Sequence, residues 1–174
     1  MSRKYKFRNP EAAYFVSFAT CFWIDVFTRH TYFSILERSL TFCRKVKNIS
    51  VYAYCFMPSH VHLIFRAHDE NPSDVLRDFK SHTAQRLLAE IEMHPQESRQ
   101  EWMLELFAKN NPRKFWQNHS KPIELWSDKV VKQKIHYIHM NPVVAGFVTS
   151  PEHWKYSSAK NYNGLADSQI EIDI

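Results

Sequence analysis

The chain has 174 residues, which suits one globular domain, and its content of 44% hydrophobic and 24% charged residues excludes a disordered chain. Its two glycines, Gly146 and Gly164, lie near the C-terminus, so the chain lacks the clustered glycines of the loops that bind nucleotide phosphates. Three of the 18 acidic residues and none of the 23 basic residues lie beyond residue 164, so residues 1–164 carry a net charge of +8. A basic body favours a polyanionic partner, although ordinary soluble proteins are often mildly basic as well.

The cysteines Cys21, Cys43 and Cys55 are odd in number and widely spaced, which argues against a disulfide framework and predicts a reducing cytosol. The apolar run Tyr14–Phe27 contains Asp25 and has no small-residue cleavage site, so we interpret it as a buried strand rather than a signal peptide. No run reaches the roughly 18 apolar residues that span a bilayer, so we expect no membrane partner.

The hydrophobic periodicity predicts alternating strands and helices in the first half of the chain. In chain order these are a strand at Phe15–Ile24, a helix over 31–47, strands at Ser50–Phe56 and Val61–Arg66, and a helix that starts at Asn71-Pro72-Ser73, with Ser73 as its cap, and ends near Met93. A later strand at either Lys114–Gln117 or Pro122–Leu125 would complete an α+β fold with a ferredoxin-like, split βαβ antiparallel sheet.

The rest of the chain predicts one more long helix and two peripheral segments. Residues 95–112 are interpreted as an insertion, and a third helix is expected to begin at Ser127 or Asp128 and to end at Asn141-Pro142. We therefore divide the chain into a domain over 1–158 and an acidic, partly ordered tail over 159–174.

The segment His60-Val61-His62 lies at the start of a predicted strand. The period of two places both imidazoles on one face, while Val61, Leu63 and Phe65 point into the core. Two histidines at this spacing can hold a divalent metal ion, although such a pair is more often a structural pair on a surface or in a core.

Tyr137 and Asn141 are one turn apart on the predicted third helix and therefore face the same way. A tyrosine on a helix is usually a core or rim aromatic. Asn141 also has a local interpretation, because an asparagine before Pro142 can cap the turn that Gly146 ends.

Taken together, these segments resemble the REP-associated tyrosine transposases, within the His-hydrophobe-His class of single-strand DNA transposases and relaxases. The resemblance covers roughly residues 14–158. It rests on residues 57–65 (MPSHVHLIF), 115–117 (FWQ), 137–143 (YIHMNPV), 145–146 (AG) and 154–158 (WKYSS).

The resemblance implies a metal-dependent, single-stranded DNA endonuclease and strand transferase that acts near hairpins, such as repetitive palindromes, through a 5′-phosphotyrosine intermediate. Tyr137 would be the nucleophile, carried on an extra helix, and His60, His62 and Asn141 would hold Mg²⁺ or Mn²⁺. The implied partner is single-stranded DNA with a hairpin, without a nucleotide cofactor. A cytoplasmic, nucleoid-associated location and a monomer are favoured, with a dimer as the alternative.

Basic and aromatic side chains supply candidate contacts to this DNA, and each has an alternative as a solvated or core residue. The candidates are Arg3, Lys4, Lys6, Arg8, Arg77, Lys80, Arg113, Lys114, Trp116 and Lys134, with Trp126 and His119 as further stacking residues.

Two other classes of function compete with a transposase. One is a non-catalytic, domesticated nucleic-acid-binding module, although the glycine-containing signature of RNA-recognition domains is absent from 61–66. The other is a zinc hydrolase that uses His60, His62 and either His136 or His139, which lacks a well-placed carboxylate base.

Overall fold

A computed structural model describes residues 6–109, 114–165 and 170–173 of the chain. The strands are β1 (Tyr14–Ala19), β2 (Ile49–Phe56), β3 (His60–Ala67) and β4 (Ile123–Glu124). The helices are α1 (His30–Val46), α2 (Pro72–Met93), α3 (Gln100–Ala108), α4 (Asp128–Val144) and the short α5 (Ala159–Tyr162). Among the helices of the described residues, none has the length and apolar character needed to cross a membrane.

The four strands form one antiparallel sheet in the order β2-β3-β1-β4. Because β3 pairs antiparallel with both β1 and β2, the latter two run in the same direction with α1 as their connection, which is the split βαβ arrangement. The predicted α+β, ferredoxin-like fold is therefore confirmed. The last strand occupies the second of the two predicted positions, while Trp116 forms an isolated bridge with Thr20.

Strand β3 separates two hydrophobic clusters. Its residues Val61, Leu63 and Phe65 pack in the main core with α1 and α2, whereas Ile64 packs in a smaller cluster with Ile138 of α4. The period of two in the strand then places His60 and His62 on the α4 side of the sheet. The predicted division of faces is thus found, with α4 rather than open solvent covering the histidine face.

Strand β1 ends at Ala19, earlier than predicted, because the backbone turns away from the sheet at Thr20. The Thr20 hydroxyl donates to the carbonyl of Ile24 (2.8 Å), and the Thr20 amide donates to the carbonyl of Ser59 (2.9 Å). These bonds close a corner over residues 20–24 that sequence periodicity cannot distinguish from a buried strand.

The helix ends correct two expectations and decide between two alternatives. Asn71, not Ser73, caps α2, because its side-chain oxygen accepts from the Ser73 amide (2.9 Å). Of the two predicted caps for α4, Ser127 is the one observed. Helix α4 continues through Pro142 to Val144, and the Asn141 carbonyl accepts from the amide of Ala145 (2.9 Å), so Asn141 is a helical residue rather than a cap.

Residues outside the split βαβ unit contribute to the same core. Met103 and Phe107 of α3 and Ile170 near the C-terminus are fully buried in the main cluster. Asp173 accepts from the Val51 amide (2.9 Å) and from Arg44 (3.1 Å). The division of the chain into a domain, an insertion and a tail stays a prediction.

A buried carboxylate joins the segment before α3 to the start of α1. Glu97 accepts hydrogen bonds from Arg29 (3.1 Å), Arg99 (3.1 Å) and Tyr32 (2.9 Å). Burial raises the pKa of Glu97, but the bonds from Arg99, Tyr32 and Arg29 outweigh burial and hold the pKa at about 2, below its ordinary 4.5. Glu97 is therefore charged and fully paired at neutral pH.

We expect Glu97→Gln to lower the free energy of unfolding by about 2 kcal/mol at pH 7, because two arginines lose their charged partner. The pKa of Glu97 is lower in the folded state, so its stabilising contribution is present above pH 4.5 and is lost as the pH falls towards 2. Urea denaturation of both proteins between pH 7 and pH 3 measures this effect. A difference between them that does not shrink towards pH 3 would contradict the role given to the charge.

Candidate active site

The two histidines lie next to each other at the start of the interior strand β3, directly after the Pro58-Ser59 turn. Their ring centroids are 4.8 Å apart, and Nδ1 of His60 lies 3.2 Å from the Ser59 hydroxyl. His60 is half-buried and His62 is 3% exposed. The turn thus fixes one ring by a hydrogen bond while the other is enclosed by protein.

Both imidazoles are neutral at physiological pH. Burial, the proximity of His60 and the charge of Lys134 lower the pKa of His62 to about 3. Burial also lowers the pKa of His60. Neutral nitrogens of this kind are the form in which histidine binds a metal ion.

Asn141 of α4 faces the same two rings. Its side chain shifts the pKa values of His60 and His62 back upward, against the larger effect of burial. Even so, neither ring nitrogen of the buried His62 has a hydrogen bond of normal geometry with another described residue. Leaving the nitrogens of a buried imidazole without such bonds is costly, so this position is chemically suited to accept a ligand.

Tyr137 lies one turn before Asn141 on α4 and covers the same histidine. Its ring centroid is 5.4 Å from that of His62 and 6.0 Å from that of Phe15, which itself stacks on His62. The ammonium nitrogen of Lys134 is 5.5 Å from the Tyr137 ring and 4.9 Å from the Phe15 ring. Because Tyr137 is 47% exposed, its hydroxyl can be reached from solvent.

The comparison with protein families gives a match to the family described as "Transposase IS200 like" over residues 14–129, more than half of the chain. The chain belongs to the IS200-like transposase family. This is a family of enzymes that act on DNA. Within this transposase, the matched region contains His60 and His62 but ends before Tyr137 and Asn141, so proposals for the two α4 residues depend on their geometry.

Two solved structures are similar to this transposase. One is the structure of a REP-associated tyrosine transposase bound to a REP hairpin, with a TM-score of 0.70, 16% identity, and coverage of 99% of this chain and 93% of that one. The other is a candidate transposase from Deinococcus radiodurans R1, with a TM-score of 0.48, 16% identity, and coverage of 79% and 94%. No curated protein sequence gives a significant match. The predicted resemblance is confirmed at the level of family and fold.

The candidate DNA contacts do not all converge on the histidines. Arg77 and Lys80 belong to α2, in the layer on the other side of the sheet from α4. Arg77 pairs with Asp74 and Asp78, and Lys80 donates to the Gln117 carbonyl (2.8 Å). Both side chains are therefore engaged within the protein.

Trp116 is also a core residue, because it is buried against Phe18 and its indole N–H donates to Thr83 (3.1 Å). Its ring has no free face for a base, so Trp116 is not available for the stacking role expected for it. Among the described members of the predicted DNA-binding set, Lys134 is the one found against Tyr137. Lys6 and Arg8 are exposed and Lys114 is half-buried, whereas Arg3, Lys4 and Arg113 lie outside the described residues.

The described residues do not supply the third histidine ligand that the zinc-hydrolase alternative requires. His139 is buried on α4, where its Nε2 lies 2.8 Å from the Ser158 hydroxyl, and His136 is exposed. Within the described ranges, no three histidine, cysteine, aspartate or glutamate side chains come together as a metal site. The arrangement instead offers two imidazoles and one amide.

The sequence did not indicate two features of the site. One is Phe15, which stacks on His62, and the other is the set of buried hydrogen bonds through which Ser158 clamps α4 to β2. Ser158 is completely buried, and its hydroxyl contacts His139 and accepts from the amide of Tyr54 on β2 (2.9 Å). Burial, with a smaller effect of His136, lowers the pKa of His139 to about 4, so the ring is neutral here. The motif WKYSS gave the position of Ser158 but no indication of its partners.

We expect Ser158→Ala to lower the free energy of unfolding by about 2 kcal/mol, because His139 and the Tyr54 amide both lose a buried partner. The matched control is Ser157→Ala, which is equally buried but has only two 3.3 Å contacts and should cost under about 1 kcal/mol. Urea denaturation compares the two variants. Equal losses would contradict a specific clamp by Ser158.

Proposed function

We propose that this transposase cleaves and rejoins single-stranded DNA beside a hairpin through a covalent bond between Tyr137 and a 5′-phosphate. The observation that carries the proposal is the position of the Tyr137 ring, 5.4 Å from the buried His62 ring, whose nitrogens have no hydrogen bond of normal geometry in the part of the chain that the structure describes. The similar REP-associated transposase, whose structure contains a REP hairpin, supports a hairpin as the DNA element.

In the proposed reaction, the Tyr137 oxygen forms a bond to phosphorus and the bond from phosphorus to the 3′-oxygen breaks. The phenol loses its proton, which the half-exposed position allows to pass to water, and the departing 3′-oxygen gains one. The bond energy stays in the phosphotyrosine, so attack by a 3′-hydroxyl reverses the reaction without a nucleotide cofactor. The chain's lack of a glycine-rich phosphate loop agrees with this.

The residues present fit a divalent metal ion. His60, His62 and Asn141 would hold it, since both imidazoles are neutral and the buried nitrogens of His62 have no hydrogen bond of normal geometry among the described residues. A bound ion would supply charge stabilisation at the scissile phosphate. Two nitrogen ligands suit Mn²⁺ better than Mg²⁺, although oxygen ligands from phosphate and water bring Mg²⁺ within range.

Lys134 would contribute positive charge beside the nucleophile. Its ammonium nitrogen lies over both Phe15 and Tyr137, so it is held at the site rather than extended into solvent. A cation here attracts the phosphate backbone and stabilises negative charge that develops during attack.

The test uses a single-stranded hairpin with randomised flanks, labelled at one end or the other, with Mn²⁺ or Mg²⁺. The 3′-labelled fragment should stay bound to the protein in denaturing gels, and the 5′-labelled fragment should be released. Mass spectrometry should place the adduct on tryptic peptide 135–155, whose only tyrosine is Tyr137. Hairpin binding without any adduct would favour the non-catalytic module, and an adduct on another peptide would exclude Tyr137.

A monomer is the proposed active form, because one chain supplies both the tyrosine and the histidine pair. We therefore expect a mixture of Tyr137→Phe and His62→Leu proteins to stay inactive on the hairpin substrate. In a dimer that shares sites between chains, one mixed site would contain both intact residues. Recovery of about a quarter or more of wild-type activity in the mixture would contradict the monomer.

A further inference from the structure

The corner between β1 and α1 presents two large aromatic side chains to solvent. Phe22 is 53% exposed and Trp23 is 60% exposed, while their neighbours Cys21 and Ile24 are buried. Single exposed aromatics are common, but two adjacent ones form an apolar patch, and apolar patches often mark binding sites. Neither residue belongs to the motifs that identify the family.

The backbone of this corner is strained. Phe22 and Trp23 have φ values of 60° and 56°, in the left-handed region that bulky L-residues rarely adopt. Such conformations persist where the surrounding structure enforces them, and they cluster at functional sites. Glycine would fit these φ values at lower cost, so the two aromatic side chains stand where the backbone does not favour them.

Backbone hydrogen bonds connect this corner to the Pro58-Ser59 turn, which precedes His60. The Trp23 amide donates to the Thr20 carbonyl (3.1 Å), the Thr20 amide to Ser59 (2.9 Å) and the Phe27 amide to Pro58 (2.9 Å). The Trp23 ring then meets the His60 ring edge to face, with centroids 5.6 Å apart. The aromatic corner and the His60–His62 pair are thus parts of one surface.

Positive charge lies near the corner. Burial raises the pKa of the Cys21 thiol, and Lys114 followed by Lys80 acts in the opposite direction, which places both ammonium groups near this residue. The Cys21 amide also donates to the carbonyl of Phe115 (2.7 Å). Lys80 is engaged with the Gln117 carbonyl (2.8 Å), so Lys114 is the cation of the two that nucleic acid at the corner could contact.

We propose that Phe22 and Trp23 form a base-stacking platform that holds an unpaired nucleobase next to the scissile phosphate. The proposal rests on the proposed function, since it places the phosphate at the histidine pair. Stacking on an aromatic ring tolerates any base, so the platform fixes the position of the strand rather than its sequence. An unpaired base is required, which would exclude duplex DNA from the site.

The test measures binding without cleavage, in Tyr137→Phe protein with a chelator present, so that its outcome does not depend on the chemistry. We expect Trp23→Ala to weaken binding of the single-stranded hairpin substrate at least about fivefold, and Trp23→Phe to restore most of it. Trp102→Ala is the matched control, because Trp102 is also about half-exposed but lies on α3. It should leave the affinity unchanged.

Abasic sites placed one at a time through the strand identify the stacked base. We expect one or two abasic positions beside the cleavage site to weaken binding by the Trp23-intact protein, and to have no further effect in Trp23→Ala. An effect of Trp23→Ala that adds to every abasic position, or no effect at all, would overturn the platform. If base coupling is seen but wild type forms no adduct, the platform stands and the proposed cleavage fails.

A structural role is tested with Phe22→Gly, which relieves the left-handed strain and removes the ring. We expect this variant to unfold at the same temperature as its parent or above it, and still to bind the strand more weakly. A clear loss of thermal stability would assign the ring to folding rather than to binding.

Discussion

Tyr137→Phe protein is expected to form no covalent adduct with the hairpin substrate and to lose at least about a thousandfold in cleavage rate. The substitution removes the hydroxyl and keeps the ring. The ring contacts with His62, Phe15 and Lys134 do not involve the oxygen, so they should be retained. The free energy of unfolding should change by less than about 0.5 kcal/mol at this half-exposed position. Binding of the strand in the presence of a chelator should stay within about twofold of wild type.

The matched control is Tyr162→Phe. Tyr162 lies on α5, where its ring meets His139 and its hydroxyl donates to the carbonyl of Tyr52 (2.8 Å). This variant should keep the adduct, with a small loss of stability. If Tyr137→Phe still formed an adduct, or if both variants lost it together, the chemistry could not be assigned to the Tyr137 oxygen.

The position of the histidine pair could be predicted because the cause is local. Alternation along β3 sends His60 and His62 to one face, whatever the rest of the chain does. The spacing of Tyr137 and Asn141 is local in the same way, since one helical turn aligns them. The packing of Tyr137 and Asn141 against the histidine pair is a long-range contact. It could be predicted only from the combination of the two motifs, and not from either motif alone.

The aromatic corner could not be predicted, because the residues that create it are far apart in the chain. The run from Phe15 to Ile24 is apolar on both faces and predicts a longer strand. What turns it at Thr20 is a set of hydrogen bonds to the Ser59 turn, about 40 residues later. Tertiary contacts therefore override the local pattern here.

The sequence alone also could not distinguish side chains that pack in the core from side chains that bind a ligand. The sequence offers Lys80 and Trp116 as DNA contacts on charge and aromaticity, yet the fold uses both to fix the segment before β4. Burial lowers the pKa of Lys80 to about 8, which reflects that internal position. The third helix is also predicted to end at Asn141-Pro142. It continues because a proline near the end of a helix removes only one hydrogen bond and need not stop the helix.

His62→Leu is expected to abolish cleavage while leaving the metal-free protein at least as stable as wild type. The His62 ring nitrogens are buried without hydrogen-bond partners of normal geometry among the described residues, so an apolar side chain of similar size removes a desolvation cost. In wild type, we expect Mn²⁺ to raise the unfolding temperature, since a ligand that binds only the folded state stabilises it. Thermal unfolding with and without Mn²⁺ should show that this shift is lost in His62→Leu.

His139→Leu separates this effect from the general result of burying a leucine. His139 is also buried, but it has a hydrogen-bond partner in Ser158, so its replacement should lower stability by about 1–2 kcal/mol and leave the Mn²⁺ shift in place. The two buried histidines are thus expected to respond with opposite signs in the metal-free protein, one kept for a ligand and the other for the fold. A metal-free His62→Leu protein that is less stable than wild type by as much as His139→Leu would mean that His62 is a structural histidine, and the proposed metal site would then lack its central residue.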